Sequence, residues 1–197
     1  MAHKKKLPST FFNMFVVLTA ISTVAALALG YTYTVTKEAR EQVKIKRAMD
    51  AIKDVLPEFN NNPNEEKYTL DGFAEMEFFP AKKDSQPVGT AVRTYSEKGF
   101  GGKIWLMVGF DKDNRLYKIK VLEHKETPGL GNKMEKPRFI DGFAGKDLSV
   151  FKLKVKKDGG DVDAITAATI TSRAFCDAVE RAYQALSQSL SPKGGKP

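Results

Sequence analysis

The sequence predicts an α+β protein: a single N-terminal transmembrane helix, then one domain with an antiparallel sheet and flanking helices. Three observations point there. Residues 11–30 form an uncharged run, FFNMFVVLTAISTVAALALG. Three β-branched and aromatic segments follow one another in the middle of the chain, separated by turn residues. A helical apolar repeat closes the sequence at 171–187. The chain has 197 residues, which leaves room for one globular domain beside an anchor.

At 1.5 Å per residue the uncharged run makes about 30 Å of helix, roughly the thickness of a bilayer's hydrocarbon core. Residues 11–31 are therefore expected to span a membrane, with residues 1–10 cytoplasmic. A cleaved secretory signal is the alternative, since Ala26-Leu27-Ala28 has the small residues of a cleavage site. The run is longer than a typical signal core, which favours a retained anchor. Lys4, Lys5 and Lys6 precede the run without an acid among them, whereas Lys37, Arg40, Lys44, Lys46 and Arg47 follow it. A strict Lys/Arg count does not decide orientation. The N-terminal cluster, and the translocation of long domains regardless of charge, favour a domain outside the cytoplasm.

Residues 36–59 read as an amphipathic stalk helix. Ile45, Ala48, Met49, Ile52, Val55, Leu56 and Phe59 make one face, and Pro57 helps to end it. Asn60 to Asn64 is a loop. Strands are expected at 88–95, 103–110 and 115–122, the last two joined through Asp111-Lys112-Asp113-Asn114. A further strand is expected at 151–155, where Phe151, Leu153 and Val155 alternate with lysines before Asp158-Gly159-Gly160. The final helix places Phe175, Ala178, Val179, Ala182 and Leu186 on one side. The domain is bounded at 40–188, and residues 189–197 are a polar tail expected to be disordered.

Composition excludes several functions. The single cysteine, Cys176, rules out an internal disulfide and, one turn into the last helix, reads as a small buried hydrophobe. The net charge of +8 comes from lysines spread along the chain, with no basic motif or aromatic platform. No nucleic-acid partner is expected; the charge suits anionic lipid or an acidic partner. His3 and His124 are the only histidines, and no CxxC, HExxH or EF-hand spacing occurs, so no metal site is expected.

The chemistry concentrates in two stretches. In Asp163-Ala-Ile-Thr166-Ala167-Ala168-Thr169-Ile170-Thr171-Ser172, four hydroxyls lie where a helix begins. Unpaired N–H groups and the helix dipole favour an anion there, and the alanines leave room for a bulky group. Helix capping is the plainer reading, but it needs only one hydroxyl. In His124-Lys125-Glu126-Thr127-Pro128-Gly129-Leu130-Gly131, Pro128 and Gly129 force a turn, Gly131 permits close backbone approach, and Glu126 and Thr127 offer polar groups. By itself this is a tight turn after a strand. Gly99-Phe100-Gly101-Gly102 lacks the spacing of a phosphate loop and reads as structural, with its backbone a lesser candidate for lining a site.

These stretches resemble the FMN-binding domain family, which includes the G subunit of the Rnf complex and the C subunit of the sodium-pumping NADH:quinone reductase. Asp163-x-x-Thr166-Ala167-Ala168-Thr169 is similar to the family's flavinylation motif, with Thr-Ala in place of the commoner Ser-Gly. His124 to Gly131 matches its HxETPGLG signature, and Gly99 to Ile104 its glycine-rich hairpin entry. The resemblance implies FMN joined by a phosphoester to Thr169, with Thr166, Ala167, Ala168, Ile170, Thr171, Ser172, His124, Glu126, Thr127, Gly129 and Leu130 at the cofactor. It implies that Asp163 presents the motif to a flavin transferase. The short chain and stalk lean toward the Rnf member, an electron carrier of an ion-translocating ferredoxin:NAD oxidoreductase. Its partners would be the other integral membrane subunits and the lipid bilayer. Other readings are the quinone-reductase member, a stand-alone flavin shuttle, or a membrane-tethered binding domain without redox activity.

Overall fold

The computed structural model describes residues 10–73 and 75–190; Lys4 to Lys6, and residues 191–197 of the expected tail, lie outside the described residues. The chain divides into two compact units, one up to Lys46 and one from Arg47 onward.

The first unit is the body of helix α1, which runs without a break over Phe11–Val55. Its apolar run is exposed along its length, Phe11, Leu18, Ile21, Leu27 and Leu29 among it. By length and composition this helix can cross a membrane. The hydroxyls of Thr23, Thr32, Thr34 and Thr36 donate to carbonyls four residues earlier, which satisfies their donors without water. One helix thus covers both the expected span and most of the expected stalk helix. It stops two residues before Pro57, because the residue preceding a proline is pushed out of helical conformation.

The second unit is built on a meander of four antiparallel strands in the order β1-β2-β3-β4. They are β1 Glu77–Lys83, β2 Gln86–Gly99, β3 Gly102–Asp111 and β4 Leu116–Glu123. In β2 and β3, Val92 pairs with Val108 and Thr94 with Leu106. The β3–β4 turn is closed by the Asp111 carboxylate, whose Oδ1 accepts the N–H groups of Asp113 and Arg115 (both 2.9 Å). The three expected strands are therefore present. β1 carries no clean alternation and holds Pro80 at its centre; that proline is tolerated because β1 is the edge strand.

Each face of the sheet has its own core. On one, Val92, Ile104, Leu106 and Val108 pack against α3 (Thr169–Leu190), through Phe175, Ala178, Val179 and Ala182. Phe139, in the short helix α2 (Pro137–Ile140), and Phe143 meet Phe175 at centroid distances of 5.0 and 5.1 Å. The fully buried rings of Phe143 and Phe175 contribute about 1.5–3 kcal/mol each. Two polar ties add direction to this packing. The Thr94 hydroxyl donates to the Ala178 carbonyl (3.0 Å), and the Ser96 hydroxyl to Asp177 Oδ2 (2.7 Å). On the other face, Ala51, Ile52, Val55 and Leu56 from the end of α1 cover Phe79, Ala81, Ala91 and Met107. Met49 and Phe59 pack against them, while Ile45 stays exposed.

The expected strand at 151–155 is not one. Leu153 and Val155 are buried and their lysine neighbours exposed, as the alternation requires. Their backbone partners, however, lie in the loop that follows: Asp161 N–H donates to the Lys152 carbonyl (3.1 Å) and Val162 N–H to that of Lys154 (3.0 Å). A tight loop turning at Gly159 satisfies the segment locally, leaving only the Val155–Val162 bridge.

Where α1 ends, its backbone touches β3. A Cβ at Gly109 would lie 1.7 Å from the Val55 carbonyl oxygen, a contact no side-chain adjustment relieves. Gly109→Ala should therefore destabilise the domain by at least about 1–3 kcal/mol in chemical denaturation, the scale of overpacking a core.

Candidate functional site

The approach to α3 is a sequence of locked turns. Asp163 is exposed and paired with Lys156 (2.8 Å). Ile165 is buried, Thr166 and Ala167 form a turn, and Ala167 sits at φ +62°. α3 begins at Thr169, two residues earlier than the periodicity suggests, and Ser172 N–H donates to the Ala168 carbonyl (3.0 Å). The cap position therefore belongs to Ala168, which has no side-chain oxygen to offer. The capping reading of the hydroxyls fails at that position. No acid of the helix's own occupies its first turn; the carboxylate that approaches this positive end is Glu126, through the Thr171 hydroxyl.

The four hydroxyls separate by what they touch. Ser172 is buried; it donates to the Ala168 carbonyl (3.0 Å) and accepts the Ile165 N–H (2.9 Å), which locks the turn. Thr171 is buried and donates to Glu126 Oε2 (2.5 Å). Thr166 is exposed and flanks the site. Thr169 is half-buried, and its hydroxyl makes no hydrogen bond among the described residues.

The loop after β4 supplies the facing wall. His124 Nδ1 accepts the Glu126 N–H (3.0 Å), which leaves Nε2 to donate to Glu135 (3.0 Å). Gly129, at φ +79°, donates to Asn132 Oδ1 (2.8 Å). These contacts turn Glu126 inward, where it is 5% exposed. Its Oε1 accepts the Gly101 N–H (2.9 Å) and its Oε2 the Thr171 hydroxyl. A Cβ at Gly131 would lie 2.5 Å from Oε2 and 2.7 Å from Thr171 Oγ1, so only glycine fits behind this pair.

Between the two stretches lies a cavity of about 340 Å³, lined by Glu126, Thr127, Leu130, Gly131, residues 167–171 and Phe100. Of the residues singled out in the sequence, His124, Gly129, Thr166, Ser172 and Asp163 stand outside the lining and hold or flank it. Phe100 is a lining residue that the sequence reading does not single out. It is 70% exposed at the tip of the β2–β3 turn, and with Ile170 (49%) and Leu130 (40%) it rims the cavity with apolar surface. A large aromatic left in water between glycines is the signal that marks it. Glu126 is the one ionisable side chain in the lining. Cys176 lies elsewhere, on the buried side of α3, and burial, with Glu180 nearby, pushes its thiol up to about 12; it is no nucleophile.

An apolar-rimmed slot with a free hydroxyl at a helix N-terminus suits a flat aromatic group that carries a phosphate. Residues 99–184, which include the whole lining, match the FMN-binding domain family. The chain thus carries an FMN-binding domain, and the cavity lies within the matched segment. Over 184 residues the chain is 33% identical to the G subunit of the ion-translocating oxidoreductase complex of Vibrio cholerae serotype O1, covering 87% of this chain and 88% of that one. With the corresponding protein of Salmonella typhi it shares 37% over 172 residues, covering 80% and 84%. The crystal structure of the Na+-translocating NADH-quinone reductase C subunit from Parabacteroides distasonis is similar at a TM-score of 0.52 and 26% identity, covering 79% of this chain and 94% of that one. The chain belongs to the family formed by the G subunits of ion-translocating oxidoreductase complexes.

Ala167 occupies a left-handed conformation that costs a non-glycine residue about 1–2 kcal/mol. Ala167→Gly should relieve it, leaving the domain as stable or up to about 1 kcal/mol more stable once glycine's extra chain entropy is counted. Ala167→Val should lower the denaturation midpoint instead.

Proposed function

We propose that this chain holds FMN through a phosphoester to Thr169 and serves as the electron-carrying subunit of an Rnf-type ion-translocating complex. The observation that carries the reading is the sorting of the four hydroxyls at the start of α3: of these, Thr169 alone lines the cavity with its hydroxyl unbound, while Thr171 and Ser172 are buried and engaged and Thr166 lies outside. When bound, the flavin supplies the electron-transfer chemistry; the protein supplies place and field. Thr169 Oγ1 forms the ester, and the uncapped start of α3 favours the phosphate charge that remains. Phe100, Leu130 and Ile170 offer apolar contact to the ring system. Thr166 and Asp163, both exposed, present the motif to a flavin transferase.

In this reading α1 anchors the chain in the cytoplasmic membrane beside the complex's other integral subunits. Its N-terminus is cytoplasmic and the domain lies on the far side. The exposed apolar length of α1 supports the anchor, and Lys4 to Lys6 support the orientation.

In cells that carry the transferase, Thr169→Ala should abolish the flavin fluorescence of the denatured protein in a gel. Its cost in stability should stay near about 0.5 kcal/mol, since the side chain makes no bond. Thr166→Ala should weaken the fluorescence, whereas Thr171→Ala and Ser172→Ala should retain it. Fluorescence that survives Thr169→Ala would reject the site.

Orientation has its own test. Asn62→Cys places a thiol in an exposed loop, and the native Cys176 is buried. An impermeant maleimide should label this variant on intact cells or spheroplasts. Labelling only after permeabilisation would reverse the topology.

A further inference from the structure

A flavin that gains an electron gains negative charge, and the lining of this cavity answers with a carboxylate. Glu126 is the only ionisable side chain there. It is 5% exposed and, among the described residues, forms no salt bridge. What holds it are two neutral donors, the Gly101 N–H and the Thr171 hydroxyl, one on each oxygen. Such bonds orient a carboxylate without cancelling its net charge. The same two bonds, with Gly131 packed behind them, prevent the side chain from swinging out to water.

We propose that Glu126 lowers the reduction potential of the bound flavin and is the pocket's potential-setting residue. The inference rests on the FMN reading above. One electron passes from a one-electron reductant, such as a neighbouring redox centre or dithionite in solution, to the ring system. The reductant is oxidised by one electron, and the flavin gains one unit of negative charge until a proton follows from water. During that gain the fixed carboxylate, itself 5% exposed, repels the new charge. A positively charged or neutral residue there would not.

The test is a spectroelectrochemical titration of the full-length flavinylated chain in detergent, co-produced with the transferase. Glu126→Gln keeps the shape and removes the charge. It should raise the reduced-to-oxidised ratio at a fixed potential about tenfold or more, an upward shift of about 59 mV for one electron. Thr171→Val removes a neutral donor and leaves the charge; it should hold the potential or lower it. A purely structural Glu126 would make both variants move alike. Bound flavin with an unmoved potential in Glu126→Gln overturns the inference, and so does an upward shift in Thr171→Val. The second outcome decides the matter even if Glu126→Gln fails to retain flavin. A wild-type chain that binds no flavin overturns the FMN reading and this inference with it, whereas a flavinylated wild type confines any failure to Glu126.

Discussion

Three segments far apart in sequence meet on one carboxylate. The β2–β3 turn reaches Glu126 through the Gly101 N–H, the first turn of α3 reaches it through Thr171, and its own loop is held by His124. Among the described residues, no other hydrogen bond or ion pair joins the two walls of the cavity. The cost of burying the carboxylate is offset because both oxygens are bonded. Gly131 and Gly101 serve this junction: a Cβ on Gly101 would strike the Lys125 carbonyl at 1.9 Å.

The sheet matters because it aims α3. Thr94 and Ser96 reach from β2 to Ala178 and Asp177, while Val92, Leu106 and Phe175 fill the interface. One turn nearer the start of α3, Arg173 pairs two of its guanidinium nitrogens with Asp158 (2.7 and 2.8 Å), tying the helix's second turn to the 156–161 loop. That pair is exposed, so its worth is geometric more than energetic. The helix N-terminus is thereby brought to the cavity with its N–H groups facing open space and Thr169 leading. On the proposed reading, a rigid scaffold holding Thr169 suits an electron carrier, since transfer depends on position.

Much of this is legible in the sequence. The strands around Val92, Val108 and Ile119 declare themselves by β-branched and aromatic content between turn residues, and the hydroxyl cluster and ETPGLG loop mark both walls of one cavity. What escapes does so for physical reasons. Pro80 hides an edge strand, because a proline argues against a strand unless its N–H side is free. Leu153 and Val155 alternate correctly yet bond within a loop, since periodicity reports burial and not the hydrogen-bond partner. Phe100 is easily overlooked because a glycine cluster draws attention to backbone freedom and away from the side chain between. The division of labour among the four hydroxyls is tertiary: only contact with Glu126 and with the 165–168 turn separates Thr171 and Ser172 from Thr169. Ala167 keeps a conformation that glycine would adopt more readily, so the turn is imposed by its neighbours, chiefly Ser172.

The central claim is a bond at one atom, and mass locates bonds. The tryptic peptide 158–173 from protein made alongside the flavin transferase contains all four hydroxyls at the start of α3. Fragmentation should place an addition of FMN less one water on Thr169. An unmodified peptide from those cells, or the same mass on Thr166, Thr171 or Ser172, would contradict it.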